Sequence, residues 1–123
     1  MELNVSALSR SVKFWGWLLE YLGYETYQDW PEGRSWRKND AYIVLVQTMP
    51  EYLATPYHRR HTGLNHVAFH AGSRKQVDEL TNLLRERNIP ILYEDRHPFA
   101  GGSQHYAVFF EDPDRIKVEV VAP

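Results

Sequence analysis

The stretch that decides the fold runs from residue 105 to residue 121 and has the sequence HYAVFFEDPDRIKVEVV. Two segments rich in β-branched and aromatic residues flank the turn sequence Asp112-Pro113-Asp114-Arg115. This pattern predicts two antiparallel strands, His105–Glu111 and Ile116–Val121. In the second strand apolar and polar residues alternate, which predicts Glu119 on the face opposite to that of Val118.

Upstream of this pair, the chain predicts a further strand, a helix and another strand. The strand Leu64–His70 has Val67 and Phe69 on one face, with His66, Ala68 and His70 on the other. Apolar residues at steps of three and four predict a helix over Ser73–Arg87, and Ile91–Asp95 has the composition of a strand. The second half of the chain therefore has the predicted order βαβββ.

The first half repeats this order. A strand is predicted over Met1–Val5. It is followed by a helix, which ends at Gly23. Strands are then predicted over Tyr24–Trp30, Ser35–Lys38 and Ala41–Gln47. Matching apolar positions recur in the second half at offsets that grow from 65 to 72 residues. The sequence thus predicts one α+β domain over residues 1–123, with module one at 1–47, a linker at 48–63 and module two at 64–123.

Composition excludes several classes of function. The chain has 123 residues, a net charge of −2 and no Cys. No basic surface is predicted for nucleic acid, and thiolate chemistry is excluded. No apolar stretch is long enough for a membrane span and no secretory leader is evident, so we expect a cytoplasmic protein with no membrane partner.

Strand alternation predicts a cluster of possible metal ligands. His66 and Glu119 oppose the apolar faces of their strands, and Gln47 is predicted to do the same, with Tyr42, Val44 and Val46 as the packed face of its strand. Imidazole nitrogen, carboxylate and amide oxygen together suit a divalent ion such as Ni, Co, Zn, Mn or Fe(II). On the strand before Asp112, His105, Ala107 and Phe109 share one parity and Tyr106, Val108 and Phe110 the other, and alternation alone leaves open which set lies on this face. The alternatives are a solvated strand face for Glu119 and a rim position for His105.

Two stretches carry a resemblance to a known superfamily. Leu64-Asn65-His66-Val67-Ala68-Phe69, followed by a helix and then by residues 109–119, resembles the second half of vicinal oxygen chelate proteins. That superfamily includes glyoxalase I, bleomycin-binding proteins and extradiol dioxygenases. The segment from Leu3 to Gly23 resembles the first half. The resemblance implies two tandem modules that form an open, curved, mixed sheet around a cavity, with the helices on the outer face.

The resemblance also implies the ligand set. Carried over, the metal ligands are His66 and Glu119 from module two and Gln47 from module one, where an acid is more usual. The family usually buries an aromatic at the position of Phe110, which implies that His105 faces the cavity near the metal as a candidate acid or base. The fourth ligand would precede Met1, so this numbering lacks it. Arg115 stands where the family commonly has Gly, at a turn position that requires positive φ. Arg would be strained in that conformation, so the alternative is a turn of another form.

Two functions follow from the resemblance. One is a metal-dependent lyase or isomerase-type enzyme, in which the metal binds a small substrate through neighbouring oxygens and Glu119 acts as a base. The other is a metal-free binding protein that sequesters an aromatic or drug-like ligand, as bleomycin-binding relatives do. An extradiol dioxygenase is disfavoured, because the first-half ligand is an amide. A homodimer is expected in either case, since open sheets have unpaired edges.

Overall fold

The computed structural model describes all 123 residues. The chain divides into two compact units, Met1–Tyr57 and His58–Pro123, and each contains one of the predicted modules. The class is α+β with two tandem modules and two open mixed sheets, as predicted. Neither helix is long and apolar enough to cross a membrane.

The first unit contains one helix on a four-stranded sheet. Its elements are β1 (Glu2–Val5), α1 (Leu8–Tyr21), β2 (Glu25–Trp30), β3 (Gly33–Lys38) and β4 (Ala41–Gln47), followed by a single 3₁₀ turn at Pro50–Tyr52. The strand order is β1-β4-β3-β2, with β1 parallel to β4 and the other pairs antiparallel. A parallel pair needs a crossover connection, and α1 begins that crossover.

Helix α1 is held on the sheet by a dense apolar face. Trp15, Leu18 and Leu19 are fully buried. Gly16 allows the helix to approach closely, since a Cβ at that position would lie 3.3 Å from the ring of Trp36. Burial of three large side chains on one helical stripe is the main contribution of α1 to stability.

The structure corrects the predicted faces of β4. Trp36, which packs against α1, pairs with Ile43 in the β3–β4 register, so Ile43 and Leu45 face the helix. Val44 is buried as well, although it lies on the opposite face. The strand has apolar residues on both of its faces, so alternation could not show which face the helix covers. The prediction that Val44 and Val46 form the helix-facing side is wrong.

The second unit repeats this topology with one strand fewer. Its elements are β5 (His66–His70), α2 (Arg74–Glu86), β6 (Ala107–Glu111) and β7 (Lys117–Val121). The strand order is β5-β7-β6, with β5 parallel to β7 and β6 antiparallel to it. Helix α2 begins after Ser73, whose side chain accepts a hydrogen bond from the backbone N–H of Gln76. Val77, Leu80 and Leu84 are buried, whereas Leu83, predicted on the same face, is only half-buried.

The strand predicted at Ile91–Asp95 is not formed. Ile91 makes one isolated bridge to Phe110, and the backbone N–H of Leu92 donates to the carbonyl of Phe109. Tyr93 then adopts a φ of 56°, and its carbonyl accepts hydrogen bonds from the backbone N–H groups of Arg96 and His97. The chain therefore turns away after two residues instead of continuing along the edge of β6.

The turn between β6 and β7 forms as the sequence predicts. One carboxylate oxygen of Asp112 accepts hydrogen bonds from the backbone N–H groups of Asp114 and Ile116. Arg115 has a φ of 66°, the left-handed conformation that favours Gly, so the turn does not take another form to accommodate Arg. Its guanidinium donates to Glu111 at 2.9 Å, which helps to hold the turn despite this backbone conformation.

Candidate functional site

Polar side chains collect on one face of the second unit's sheet because of the strand register. Ala68 pairs with Glu119 across β5 and β7, and Phe109 pairs with Glu119 across β6 and β7. Cross-strand partners share a face, and so do residues two apart on one strand. The face that carries Glu119 therefore also carries His66 and Lys117.

The opposite face of this sheet is covered by α2. The fully buried side chains Val108, Phe110, Val118 and Val120 all have the alternate parity. Tyr106 extends the same face, and its hydroxyl donates to Asp78 of α2 at 2.5 Å. The sequence-derived faces of β5, β6 and β7 are thus confirmed.

Glu119 lies at the centre of the candidate site. One of its carboxylate oxygens, Oε2, lies 3.2 Å from Nε2 of His66, and the other, Oε1, contacts Nε2 of His105. The Glu119 side chain is only 7% exposed, whereas those of His66 and His105 are 37% and 41% exposed. A buried carboxylate needs polar partners to offset its lost hydration, and the imidazole of His105 provides one.

His66 is contacted on its other side by Asn65. The side-chain oxygen of Asn65 lies 2.9 Å from Nδ1 of His66, and its amide nitrogen donates to the carbonyl of Arg59 at 3.3 Å. Both ring nitrogens of His66 therefore face an oxygen atom. Asn65 was not among the residues that the sequence singled out for a role, although it directly precedes the candidate ligand.

His105 is placed by the loop that precedes β6. Its backbone N–H donates to the carbonyl of Gly102, and its ring passes close to the backbone of Gly101. A Cβ at Gly101 would lie 2.5 Å from Cδ2 of His105, so only Gly leaves room for the ring in this position. Gly101 is the second functional residue that the sequence did not identify, since a Gly-rich loop alone gives no hint of what it touches.

Tyr106 fixes the same loop on the other face of the sheet. Its ring makes an edge contact with Phe99, with centroids 5.5 Å apart, and the guanidinium of Arg74 lies over it at 4.8 Å. The hydrogen bond to Asp78, and secondarily burial, raise the pKa of the Tyr106 hydroxyl above its ordinary value. Residue 106 thus anchors the chain while residue 105 faces the site.

An amino group lies on the same face as Glu119. Lys117 is two residues before Glu119 on β7, and its Nζ lies 3.3 Å from the hydroxyl of Tyr93. The ring of Tyr93 packs edge-on against Phe109, with centroids 5.6 Å apart. The face therefore combines a carboxylate, two imidazoles, an ammonium group and two aromatic rings.

Gln47 has a different environment from the one predicted. Its side-chain oxygen accepts a hydrogen bond at 2.9 Å from the backbone N–H of Leu8, the first residue of α1. Its amide nitrogen donates to the carbonyls of Ser6 and Thr48. Gln47 thus satisfies one of the unpaired N–H groups at the start of α1, and its oxygen is engaged there. We leave it out of the ligand set for this reason.

The donor types of the cluster fit a divalent metal ion. Two imidazole nitrogens and one carboxylate are a set that first-row transition metals bind readily. As the side chains are placed, each imidazole faces its own oxygen of Glu119, and no group of three or more His, Cys, Asp or Glu is arranged to hold an ion. The residue types therefore suit a metal ion, whereas their present arrangement does not surround one. Both imidazoles are exposed enough to reorient.

The first unit contains an open groove of about 630 Å³ beside the start of α1. Its apolar lining comes from Leu8, Val12, Trp30 and Pro31. The ring of Trp30 lies against Gly33, where a Cβ would be 2.3 Å from it. An ion pair of 2.8 Å between Asp29 and Arg34 borders the groove. Trp36, on the neighbouring strand, is buried in the core and does not line the groove.

Comparison with known proteins identifies the chain's relatives. Residues 1–120 match the model of the glyoxalase/bleomycin resistance protein/dioxygenase superfamily. The Bacillus subtilis (strain 168) protein YqjT, described as uncharacterized, is 57% identical over 123 residues, which cover all of this chain and 96% of that protein. Two solved structures carry the comparison further.

The first is a crystal structure of a candidate glyoxalase from Bacillus halodurans. It is 60% identical, with a TM-score of 0.99 over 100% of this chain and 92% of that one. The second is lactoylglutathione lyase from Agrobacterium tumefaciens, 20% identical, with a TM-score of 0.68 over 99% of this chain and 90% of that one. At that identity, the second likeness shows the shared fold alone.

Proposed function

Since the chain belongs to the glyoxalase/bleomycin resistance protein/dioxygenase superfamily, we propose that it is a divalent-metal-dependent enzyme of the lyase or isomerase type. Its substrate would be a small molecule with vicinal oxygens. The observation that carries the proposal is the buried carboxylate of Glu119, contacted by Nε2 of both His66 and His105. A buried carboxylate in contact with two imidazoles is not required for the stability of a strand, and such clusters are typical of functional sites.

His66, His105 and Glu119 would hold the metal ion, all three from the second unit. When bound, a divalent ion would supply Lewis-acid polarisation of two neighbouring substrate oxygens. Glu119, as the buried carboxylate, would accept a proton from the substrate carbon beside them. His105 was predicted as an acid or base, but in this proposal its Nε2 would be a metal ligand, so the proton taken from the substrate would stay on Glu119.

The remaining side chains on this face would select and orient the substrate. Lys117 supplies a positive charge two residues from Glu119, and Tyr93 and Phe109 supply aromatic surface beside it. A substrate held by these groups would be shielded from water on its aromatic side. Such shielding strengthens electrostatic interactions at the reacting atoms.

The proposal is tested by activity with added metals. We would assay the metal-free protein with Ni²⁺, Co²⁺, Zn²⁺, Mn²⁺ or Fe²⁺ on lactoylglutathione and on simpler 2-hydroxycarbonyl compounds. Glu119→Gln should abolish any turnover, whereas Glu86→Gln, at an exposed position at the end of α2, should leave it unchanged. Turnover that needs no metal, or that survives Glu119→Gln, would reject the proposal.

The second candidate function is a metal-free binding protein for an aromatic or drug-like ligand. It is favoured by the groove beside α1, whose volume of about 630 Å³ lies in the range of small-molecule sites. The ring of Trp30 would stack on the ligand. Quenching of tryptophan fluorescence by bleomycin that is lost in Trp30→Ala but kept in Trp17→Ala would support this function, and unchanged fluorescence would reject it.

A further inference from the structure

We propose that Asn65 is a positioning residue that sets the tautomer of His66 and so directs the Nε2 lone pair of that imidazole toward Glu119. Three hydrogen-bonded groups in the second unit carry this inference: the carbonyl of Arg59, the amide of Asn65 and the ring of His66. The role of this tautomer in metal binding rests on the proposed function. The tautomer itself is a property of the protein without metal.

The carbonyl of Arg59 determines the direction of both hydrogen bonds. The carbonyl oxygen of Arg59 can only accept, so the Asn65 atom that faces it at 3.3 Å must be the amide nitrogen. The side-chain oxygen of Asn65 is then the atom 2.9 Å from Nδ1 of His66. That oxygen can also only accept, so Nδ1 must carry a hydrogen.

A neutral imidazole carries one hydrogen, and in His66 that hydrogen is on Nδ1. Its Nε2 then presents a lone pair to Oε2 of Glu119 at 3.2 Å. Two lone pairs that face each other at this distance repel, and a cation between them removes the repulsion. In the neutral ring, Asn65 thus prevents His66 from donating Nε2–H to Glu119, and it keeps that nitrogen available to a metal ion.

Arg59 holds Asn65 in this orientation. Its guanidinium lies 3.4 Å from a carboxylate oxygen of Glu111 and donates to the carbonyl of Arg115 at 3.3 Å. Arg115 donates to the other oxygen of Glu111. The side chains of Arg59 and Glu111 are only 22% and 17% exposed. These bonds fasten residue 59 to the turn between β6 and β7, which places its carbonyl for Asn65.

The test compares two substitutions at residue 65 with one at a distant Asn. Asn65→Leu removes the acceptor for Nδ1–H, whereas Asn65→Asp keeps it. Asn82→Leu, at an exposed position on α2, is the control for an Asn-to-Leu change elsewhere. The primary measurement is the ¹⁵N spectrum of the His66 imidazole in the metal-free protein, at a pH where the ring is neutral. The second is the Kd for Zn²⁺.

The wild-type protein, Asn65→Asp and Asn82→Leu should all show the Nδ1–H tautomer. Asn65→Leu should shift His66 toward Nε2–H and weaken Zn²⁺ binding by about 10- to 100-fold, the usual range for the loss of a group that orients a ligand. A wild-type Nε2–H tautomer, or a folded Asn65→Leu protein with an unchanged tautomer, would overturn the inference. The predicted tautomers without Zn²⁺ binding by the wild type would uphold Asn65 as the positioning residue and count against the metal site alone.

Discussion

The substitution Gly101→Ala should disturb the site while leaving the fold nearly intact. The added Cβ would lie 2.5 Å from Cδ2 and 3.0 Å from Cγ of His105. The ring must retreat by about 0.9 Å, the difference between 2.5 Å and the 3.4 Å at which ordinary van der Waals contact begins. Gly101 does not have a positive φ, so Ala adds little backbone strain.

The size of the effect follows from the tolerance of metal coordination. Ligand distances are held to within about 0.2 Å, so a shift of about 0.9 Å takes Nε2 of His105 out of its place against Glu119 and disfavours their shared coordination of an ion. We expect Zn²⁺ affinity to fall by about 10- to 100-fold. The His105 side chain is 41% exposed and can move into solvent, so the free energy of unfolding should fall by less than about 1 kcal/mol.

Gly102→Ala is the matched control. Gly102 has a φ of 126° and nothing within 4 Å of an added Cβ, so Ala there strains the backbone without touching His105. We expect Gly102→Ala to lower the free energy of unfolding by about 1 kcal/mol or more and to change Zn²⁺ affinity less than Gly101→Ala does. Isothermal titration calorimetry and urea unfolding would measure both quantities. A folded Gly101→Ala protein with wild-type Zn²⁺ affinity would refute the placement of His105 in the site.

Three other predictions concern stability and assembly. Trp15→Ala should lower the free energy of unfolding by about 3–5 kcal/mol, because Trp15 is fully buried against Phe14. Trp17→Ala should lower it clearly less, because Trp17 is only half-buried. Equal losses in urea unfolding would contradict these faces of α1. Burial, with the charge of Arg85 second, lowers the pKa of His97, so the unfolded state binds a proton more readily and stability should fall as the pH drops through about 6.5 and below. His97→Asn should flatten this part of the stability curve, and an unchanged slope would show that His97 has no share in it. The chain should form a homodimer through the unpaired edges of its sheets, and sedimentation as a monomer at micromolar concentration would contradict that expectation.

The second module could be predicted closely because its strands alternate cleanly. Val67 and Phe69 on β5, and Val118 and Val120 on β7, alternate with the polar residues His66, His70, Lys117 and Glu119, and Ala68 is small enough not to obscure the pattern. The faces of these strands, and with them the meeting of His66 and Glu119, followed from that alternation. The direct contact of His105 with Glu119 was not predicted, because the bend of the loop before β6 cannot be derived from its residues.

The first module was predicted less well because β4 is apolar on both faces. Ile43, Val44 and Leu45 are consecutive and all buried, so the period of two carries no information about which side α1 covers. The orientation of Gln47 was lost with it. The absent strand after α2 has another cause: Tyr93 takes a left-handed conformation that composition does not reveal.

Metal titration of the metal-free protein tests the candidate site most directly. Co²⁺ and Zn²⁺ would be titrated into the wild type, His66→Ala, His105→Ala and Glu119→Gln, with stoichiometry checked by elemental analysis. We predict one ion per chain for the wild type and affinities at least about 10-fold weaker for each variant. Absence of stoichiometric binding by the wild type, or binding that Glu119→Gln leaves unchanged, would contradict the assignment of these three residues as the metal ligands.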